Sequence, residues 1–485
     1  MNKTVKWLAL GAGVALLALG LAPLRARAQE QRTTREKLFG DKSFESAHAD
    51  WAPGAVIYEV NLRQGTKGRT LKSASEELPR LKDLGVDIVW LMPIHPISEV
   101  NRKGTLGSYY AVQDYKAVNP EFGSFDDLKD YVARAHALGM KVILDEVCNH
   151  TGCDNAWVTE HPEYYAKDKD GKMFGPFDWT DTYKLDYSNP GLRAAMLDAL
   201  KFWVAEADID GYRCDVASHV PEDFWREARV ELEKIKPVFM LAEASEPDLC
   251  VAAFDADYAW PMGGVFKNIA ATQGVNRYAK EKGAKMAKMD ATAIDDLLAR
   301  QAKQYPQDTY RMNMVTNHDW NSWEGTEFEV FGPGVGAFAV LSFTLPGMPM
   351  MYTGQEVGFN HPFEFFEHDA VTPDYKANQF TAFYKMLTAL KHDQPSLRAG
   401  KSGGEMKRYL TRDKDVYVFT RGGQKGLPPV VVMVNLSSEP GKVEFLKDAP
   451  RVEGMRDYFY SKDAVMPETL QPWEYRVFTL PVAKK

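Results

Sequence analysis

The sequence has few cysteines and only one long apolar run. Its four cysteines in 485 residues include no Cys-x-x-Cys pair, which argues against a disulfide framework or a thiolate metal cluster. Whether Cys148 and Cys153 form a bridge is left open. The apolar run, LALGAGVALLALGLA, follows two lysines and precedes an Ala-Arg-Ala cleavage site at 26–28, and it is too short to span a bilayer comfortably. We therefore interpret residues 1–28 as a cleaved signal peptide and expect export to the periplasm or the extracellular space, with no membrane contact afterwards.

Basic charge is also scarce. The chain has 59 Lys and Arg against 67 Asp and Glu, a net charge of −8. The predicted signal peptide carries four of the basic residues and no acidic one, so its removal brings the net charge to −12. An acidic surface argues against nucleic acid as a partner and suits a neutral ligand.

Short apolar strands alternate with amphipathic helices through most of the chain. Alternation over this length predicts a parallel sheet, and eight units fit a (β/α)₈ barrel with an insertion after the third strand. A doubly wound sheet is the alternative, but it would need a glycine-rich phosphate loop after the first strand, and NLRQGTKG lacks that pattern. The predicted strands are 55–62, 86–93, 141–147, 209–216, 238–244, 254–260, 310–318 and 347–354.

The pattern changes near residue 395, where short alternating segments at sandwich-like spacing predict an all-β module. Together these patterns divide the chain into five parts. We predict a signal peptide (1–28), an N-terminal segment (29–54), a catalytic barrel (55–149 and 188–394), an inserted domain B (150–187) and a C-terminal antiparallel β-sandwich (395–485).

Carboxylates follow four of the predicted strands, at Asp145, Asp215, Glu243 and Asp319. The carboxyl ends of barrel strands meet at one face of the barrel, where catalytic groups lie. A purely structural ion pair between Arg213 and Asp215 would not explain why acidic residues follow four separate strands. Two carboxylates in different environments are the requirement for glycoside hydrolysis.

Arg213 and Asp215 should point to the same side of the fourth strand, because side chains alternate along a strand. We expect the arginine to lower the pKa of Asp215 and to keep it ionised as a nucleophile. Glu243 has no cation beside it in sequence, so it is the better candidate for the proton donor.

At this point the chain resembles the α-amylase family of glycoside hydrolases. The resemblance implies that Asp215 is the nucleophile, Glu243 the general acid/base and Asp319 the stabiliser of the transition state, and that no organic cofactor is used. The residues that would contact the sugar are Arg213, His150, His318, Tyr110 and Asp145. The motifs that carry the resemblance are, in order, VDIVWLMPIHP, GSYYAVQDY, DEVCNH, GYRCDVASH, AEAS, TNHD and GMPMMYTGQE.

The resemblance also implies a structural calcium between domain B and the barrel. Asn149 matches the family's side-chain ligand, and His219 matches the residue that offers a backbone carbonyl. Domain B would add a carboxylate, for which Asp178 and Asp181 are the candidates, since oxygen ligands suit Ca²⁺.

The function that the resemblance implies is retaining hydrolysis of α-glucosidic bonds, mainly α-1,4, in starch-type glucans or maltooligosaccharides by a monomer. Ser218 stands where typical α-amylases have a lysine that grips the reducing side of the chain. A transglycosylase, or an exo-acting α-glucosidase or neopullulanase-like enzyme on short α-glucans, is therefore the alternative. A catalytically silent glucan-binding protein is a third reading, disfavoured because all three catalytic carboxylates are present.

Overall fold

The computed structural model describes residues 48–306, 308–424 and 426–481. The predicted signal peptide and most of the N-terminal segment lie outside the described residues. Within these ranges, no helix combines the length and apolarity that a bilayer crossing requires.

Eight parallel strands close into a barrel, in the order β1-β2-β3-β6-β7-β8-β9-β10 and back to β1. Ile57 pairs with Ile88 on one side and with Met350 on the other, so the sheet has no free edge at β1. Closure confirms the predicted barrel and excludes the open doubly wound sheet. The strands up to residue 352 are β1 (Ile57–Val60), β2 (Ile88–Leu91), β3 (Lys141–Glu146), β4 (His150–Gly152), β5 (Thr182–Lys184), β6 (Gly211–Cys214), β7 (Phe239–Ala242), β8 (Ala256–Tyr258), β9 (Tyr310–Asn313) and β10 (Met348–Tyr352).

Helices follow the barrel strands and cover the outside of the sheet. Two of their starts are capped by side chains: the Ser124 side chain accepts from the Asp127 N–H, and the Asn189 side chain accepts from the N–H groups of Gly191 and Leu192. The helices are α1 (Leu62–Gly65), α2 (Leu71–Glu76), α3 (Leu78–Leu84), α4 (Phe125–Ala137), α5 (Trp157–Glu160), α6 (Pro190–Glu206), α7 (Glu222–Glu233), α8 (Pro247–Ala252), α9 (Trp260–Thr272), α10 (Arg277–Lys282), α11 (Thr292–Gln304), α12 (His318–Glu324), α13 (Glu327–Phe331), α14 (Val335–Thr344) and α15 (Gln379–Asp393).

The insertion after β3 contains a small antiparallel sheet. Strands β4 and β5 pair with His150 opposite Lys184 and Gly152 opposite Thr182. This places the insertion beside the carboxyl end of β3, at the catalytic face that the sequence predicts. Cys148 and Cys153 are both buried free thiols, so they form no bridge in this structure.

The C-terminal part contains an antiparallel sheet in the order β11-β12-β13-β18-β15-β16 and a separate pair, β14 with β17. It packs on the barrel, where the buried Arg421 donates to the Thr344 carbonyl at 3.0 Å. The strands are β11 (Met406–Tyr409), β12 (Val416–Arg421), β13 (Val430–Asn435), β14 (Gly441–Lys442), β15 (Arg456–Asp457), β16 (Lys462–Asp463), β17 (Thr469–Leu470) and β18 (Tyr475–Thr479).

Candidate active site

The carboxylates predicted at the strand ends lie together at the carboxyl end of the barrel. Asp145 ends up beside Arg213 because β3 and β6 are neighbours with these two residues in register. Asp215 follows β6, Glu243 follows β7, and Asp319 lies in the first turn of α12 after β9. The closed barrel thus brings together side chains that are up to 174 positions apart in the chain, from Asp145 to Asp319.

Arg213 is fully buried and contacts three carboxylates at once. Its Nη1 lies 2.7 Å from Asp145 Oδ1 and 3.0 Å from Asp215 Oδ1, and its Nη2 lies 3.0 Å from Glu243 Oε2. Its Nε donates to the Tyr258 hydroxyl at 3.2 Å. One guanidinium therefore orients the nucleophile and acid candidates and offsets only part of their combined charge.

This sharing overturns the expected pKa of Asp215. Burial raises the pKa of this carboxyl and the charge of Glu243 raises it further, while Arg213 lowers it by less, so the pKa lies well above its usual range. Burial likewise raises the pKa of Asp145 to about 6, against the lowering effects of Arg213 and His318. Because Asp145 and Asp215 lie against the same cation, their titrations are coupled.

The backbone after the nucleophile candidate is strained. Val216 has φ 42°, in the left-handed region that a β-branched residue rarely adopts. In this conformation its N–H donates to Glu243 Oε2 at 2.8 Å. The strained backbone therefore helps to hold the acid candidate, Glu243. Strained residues of this kind cluster at active sites in proteins.

A directed chain of hydrogen bonds supports the opposite wall. The Tyr110 hydroxyl donates to Asp145 Oδ2 at 3.0 Å, so its oxygen accepts from His318 Nε2 at 2.8 Å. His318 Nδ1 bonds the Glu59 carboxylate, and Nε2 lies 3.3 Å from Asp319 Oδ2. Burial lowers the pKa of His318, but Asp319 and Glu59 raise it more, to about 9, so the imidazole is charged at neutral pH.

Glu59 is the site residue that the sequence reasoning missed. It lies in the fully buried strand β1, whose other residues are apolar or aromatic. The available signal was an acidic residue within the apolar stretch AVIYEVNL, since a carboxylate is rarely fully buried without a partner.

His150 ends up in the same region with one nitrogen available. Burial lowers its pKa to about 3, so the ring is neutral. Its Nε2 is buried and has no hydrogen-bond partner among the described residues. A neutral imidazole nitrogen without a partner can bind a ligand hydroxyl, and this is the property that the predicted sugar contact requires.

The structure shows the surroundings of two of the predicted calcium ligands, Asn149 and Asp181. Asn149 Oδ1 is buried without a partner in the described part of the chain, which would suit a cation. Asp181, however, pairs with Lys103 Nζ at 3.0 Å.

Asp178 and His219 are both exposed. Over the described ranges, no group of three or more His, Cys, Asp or Glu side chains is arranged to hold a metal. The predicted site would use an amide oxygen, a backbone carbonyl and a single carboxylate, so calcium binding at these residues stays a prediction, and no step of the proposed mechanism depends on it.

The sequence matches the profile of the α-amylase catalytic domain over residues 41–184 and 172–400. It is 27% identical over 413 residues to an α-amylase of Haloarcula japonica, covering 81% of this chain and 57% of that protein. It is 27% identical over 410 residues to a cyclomaltodextrinase of Geobacillus thermopakistaniensis, covering 79% of this chain and 64% of that protein. The chain thus spans about three fifths of the length of these two curated relatives.

Solved structures extend the similarity to nearly the whole fold. A maltogenic α-amylase of Thermotoga neapolitana superimposes with a TM-score of 0.76 at 27% identity, covering 89% of this chain and 99% of that one. An α-amylase of Lactobacillus plantarum superimposes with a TM-score of 0.76 at 30% identity, covering 88% and 99%. From the family profile and the barrel that carries its motifs, this chain belongs to the α-amylase family.

Proposed function

We propose that the protein is a retaining glycoside hydrolase that cleaves α-glucosidic bonds, mainly α-1,4, in starch-type glucans or maltooligosaccharides. The observation that carries the proposal is the single guanidinium of Arg213, which holds Asp215 and Glu243 at 3.0 Å each. Retaining hydrolysis needs one carboxyl that attacks and a second that exchanges a proton, held in fixed positions relative to each other.

Asp215 is suited to the attacking role. Its Oδ1 is held by Arg213, while its Oδ2 is buried and has no hydrogen-bond partner among the described residues. Oδ2 would form the bond to the anomeric carbon as the glycosidic bond breaks, giving a covalent glycosyl ester. Glu243, whose side chain is 17% exposed against 7% for Asp215, lies nearer to solvent and would give its proton to the leaving oxygen.

The second step returns the site to its starting state. Glu243, now ionised, takes a proton from a water that attacks the anomeric carbon, and Asp215 leaves as the carboxylate. Asp319 and the charged His318 would lie on the other side of the bound sugar. In the proposal Asp319 stabilises the positive charge that develops on the sugar, and His318, Tyr110 and His150 bind its hydroxyls.

The alternative is transglycosylation or exo-acting cleavage of short α-glucans. Ser218 in place of the reducing-side lysine favours it, and so do the names of relatives, which include cyclomaltodextrinases and a maltogenic α-amylase. All of these activities use the same nucleophile. Transglycosylation differs in that a second sugar accepts the glycosyl group, and exo-acting hydrolysis differs in that cleavage starts from a chain end. Export through residues 1–28 is part of the proposal, and amino-terminal sequencing of the secreted protein tests it.

The experiment is a time course of products from soluble starch, maltotriose and a cyclodextrin, with NMR of the first anomer released. We expect the wild type to release the α-anomer first and Asp215→Asn to release no product. Early oligosaccharide ladders indicate endo-acting hydrolysis, and maltose or glucose alone indicates the alternative. Release of the β-anomer, or near-wild-type activity in Asp215→Asn, would refute the assignment of the nucleophile. Binding of glucans without any turnover would favour the silent binding protein.

A further inference from the structure

We infer that Trp323 and Phe365 form a binding site for glucosyl residues beyond the one at the reaction centre, and we call this pair of residues the aromatic platform. The inference rests on the proposed function and adds a specificity-determining surface to it. Trp323 is 51% exposed, an unusual position for the largest apolar side chain.

The platform is continuous with the reaction centre. The rings of Trp323 and Phe365 have centroids 5.3 Å apart. Phe365 in turn lies 6.3 Å from Tyr110 with the two planes 14° apart, and Tyr110 stacks on His318 at 5.5 Å. An aromatic surface therefore runs from solvent to the residues that bond Asp145 and Asp319.

Helix geometry explains why Trp323 faces this way. Asp319 and Trp323 are four residues apart on α12, so their side chains lie on the same face of the helix. The backbone at Trp323 is also held, since its carbonyl accepts from the Tyr278 hydroxyl at 2.7 Å. The element that positions the predicted transition-state stabiliser thus positions the platform as well.

The loop that carries Phe365 is held by buried side chains. Arg63 Nη1 donates to the carbonyls of Phe365 and Gly107 at 3.1 and 2.9 Å. Gln64 Nε2 donates to the carbonyls of Glu364 and Glu367 at 2.7 Å each. Arg63 and Gln64 are both fully buried, so the platform is fixed before a ligand arrives and loses little entropy on binding.

The ligand that suits this surface is a sugar with an apolar face. The C–H faces of α-linked glucose pack against flat rings, whereas the platform offers no charge for an ionic ligand. The platform adjoins Tyr110, whose hydroxyl bonds Asp145, whereas Glu243, which would protonate the leaving group, contacts Arg213 and the Val216 N–H. The platform therefore receives the non-reducing part of an α-glucan chain.

The test compares release of nitrophenol from 4-nitrophenyl α-glucoside, α-maltoside and α-maltotrioside. Trp323→Ala should lower kcat/KM for the maltotrioside about tenfold, equivalent to about 1.4 kcal/mol, and leave the glucoside within about twofold. Trp323→Phe keeps a ring at this position and should recover most of the loss. Tyr460 in the C-terminal part is also 51% exposed. Tyr460→Ala is therefore the matched control and should leave kcat/KM unchanged for all three substrates.

An equal loss on all three substrates, or no loss on any, would overturn the platform. A change in oligomeric state without a change in the substrate series would instead identify Trp323 as a protein contact and also overturn it. Calorimetry of maltohexaose with Asp215→Asn, with and without Trp323→Ala, separates this inference from the proposed function. If maltohexaose binding depends on Trp323 but the wild-type protein shows no turnover, the platform is supported and the proposed hydrolase is refuted. If Trp323→Ala leaves binding unchanged, the platform is refuted.

Discussion

Glu59→Gln is the substitution that most directly tests the electrostatics of the site. Glu59 and His318 are both buried, and the carboxylate contacts the imidazole Nδ1 directly. Burial lowers the pKa of His318, and Asp319 and Glu59 together raise it from 6.5 to about 9. Because Glu59 supplies both a charge and a hydrogen bond, its neutralisation should remove at least half of that increase.

The expected pKa of His318 in Glu59→Gln is therefore about 7.8 or lower, a loss of at least about 1.7 kcal/mol of stabilisation of the imidazolium. This magnitude agrees with the roughly 1.5–3 kcal/mol of a hydrogen bond to a charged group. Since the cation is present below the pKa and lost above it, the alkaline fall in kcat/KM should begin near pH 9 in the wild type and at lower pH in the variant.

The assay is an NMR titration of protein labelled at histidine, with the resonance assigned by its absence in His318→Gln. Glu356→Gln is the matched control, because Glu356 is equally buried but bonds Tyr58 and Arg80 instead. That variant should leave the pKa of His318 near 9. A wild-type value near 6.5, or a value near 9 that persists in Glu59→Gln, would show that Glu59 does not set the charge of His318.

Three further predictions concern the Tyr110 hydrogen bonds, the buried Asp210 and the predicted calcium. Tyr110→Phe leaves Asp145 and His318 without their shared partner, so kcat/KM on an aryl α-glucoside should fall about 10- to 100-fold, and unchanged kinetics would contradict the network. Burial raises the pKa of Asp210, but His136 and the Val142 N–H lower it more, to about 2, so its stabilisation is present above about pH 4 and lost as the pH falls through 2. Asp210→Asn should therefore cost about 2 kcal/mol in denaturant unfolding at pH 7 and much less at pH 2, whereas an equal cost at both would refute this. If the predicted calcium is bound, its removal by EDTA should lower Tm, and an unchanged Tm would contradict the calcium prediction.

The barrel could be predicted because its pattern is local. Apolar stretches such as VDIVWLMP and KVILDEV are strands of a buried parallel sheet by composition, and the helices between them carry their own capping signals at Ser124 and Asn189. The convergence of Asp145, Asp215, Glu243 and Asp319 followed from topology, because the carboxyl ends of parallel barrel strands meet at one face. The other predicted site residues came from the family resemblance.

The ionisation of the site could not be predicted, because it depends on distances between residues far apart in the chain. Arg213 beside Asp215 suggested a lowered pKa, but the fold also brings Asp145 and Glu243 to the same guanidinium, and burial then dominates. The calcium ligands were assigned by position in a motif, and only the fold shows that one candidate, Asp181, pairs with Lys103.

The sequence by itself therefore determined the fold, the family and the residues that face the catalytic end, since these depend on periodicity and on motif order. Only the tertiary structure decided which carboxylates share a cation, that Glu59 contributes with Asp319 to the raised pKa of His318, and that Trp323 extends the aromatic surface. These properties come from contacts through space, which side-chain pattern along the chain does not encode.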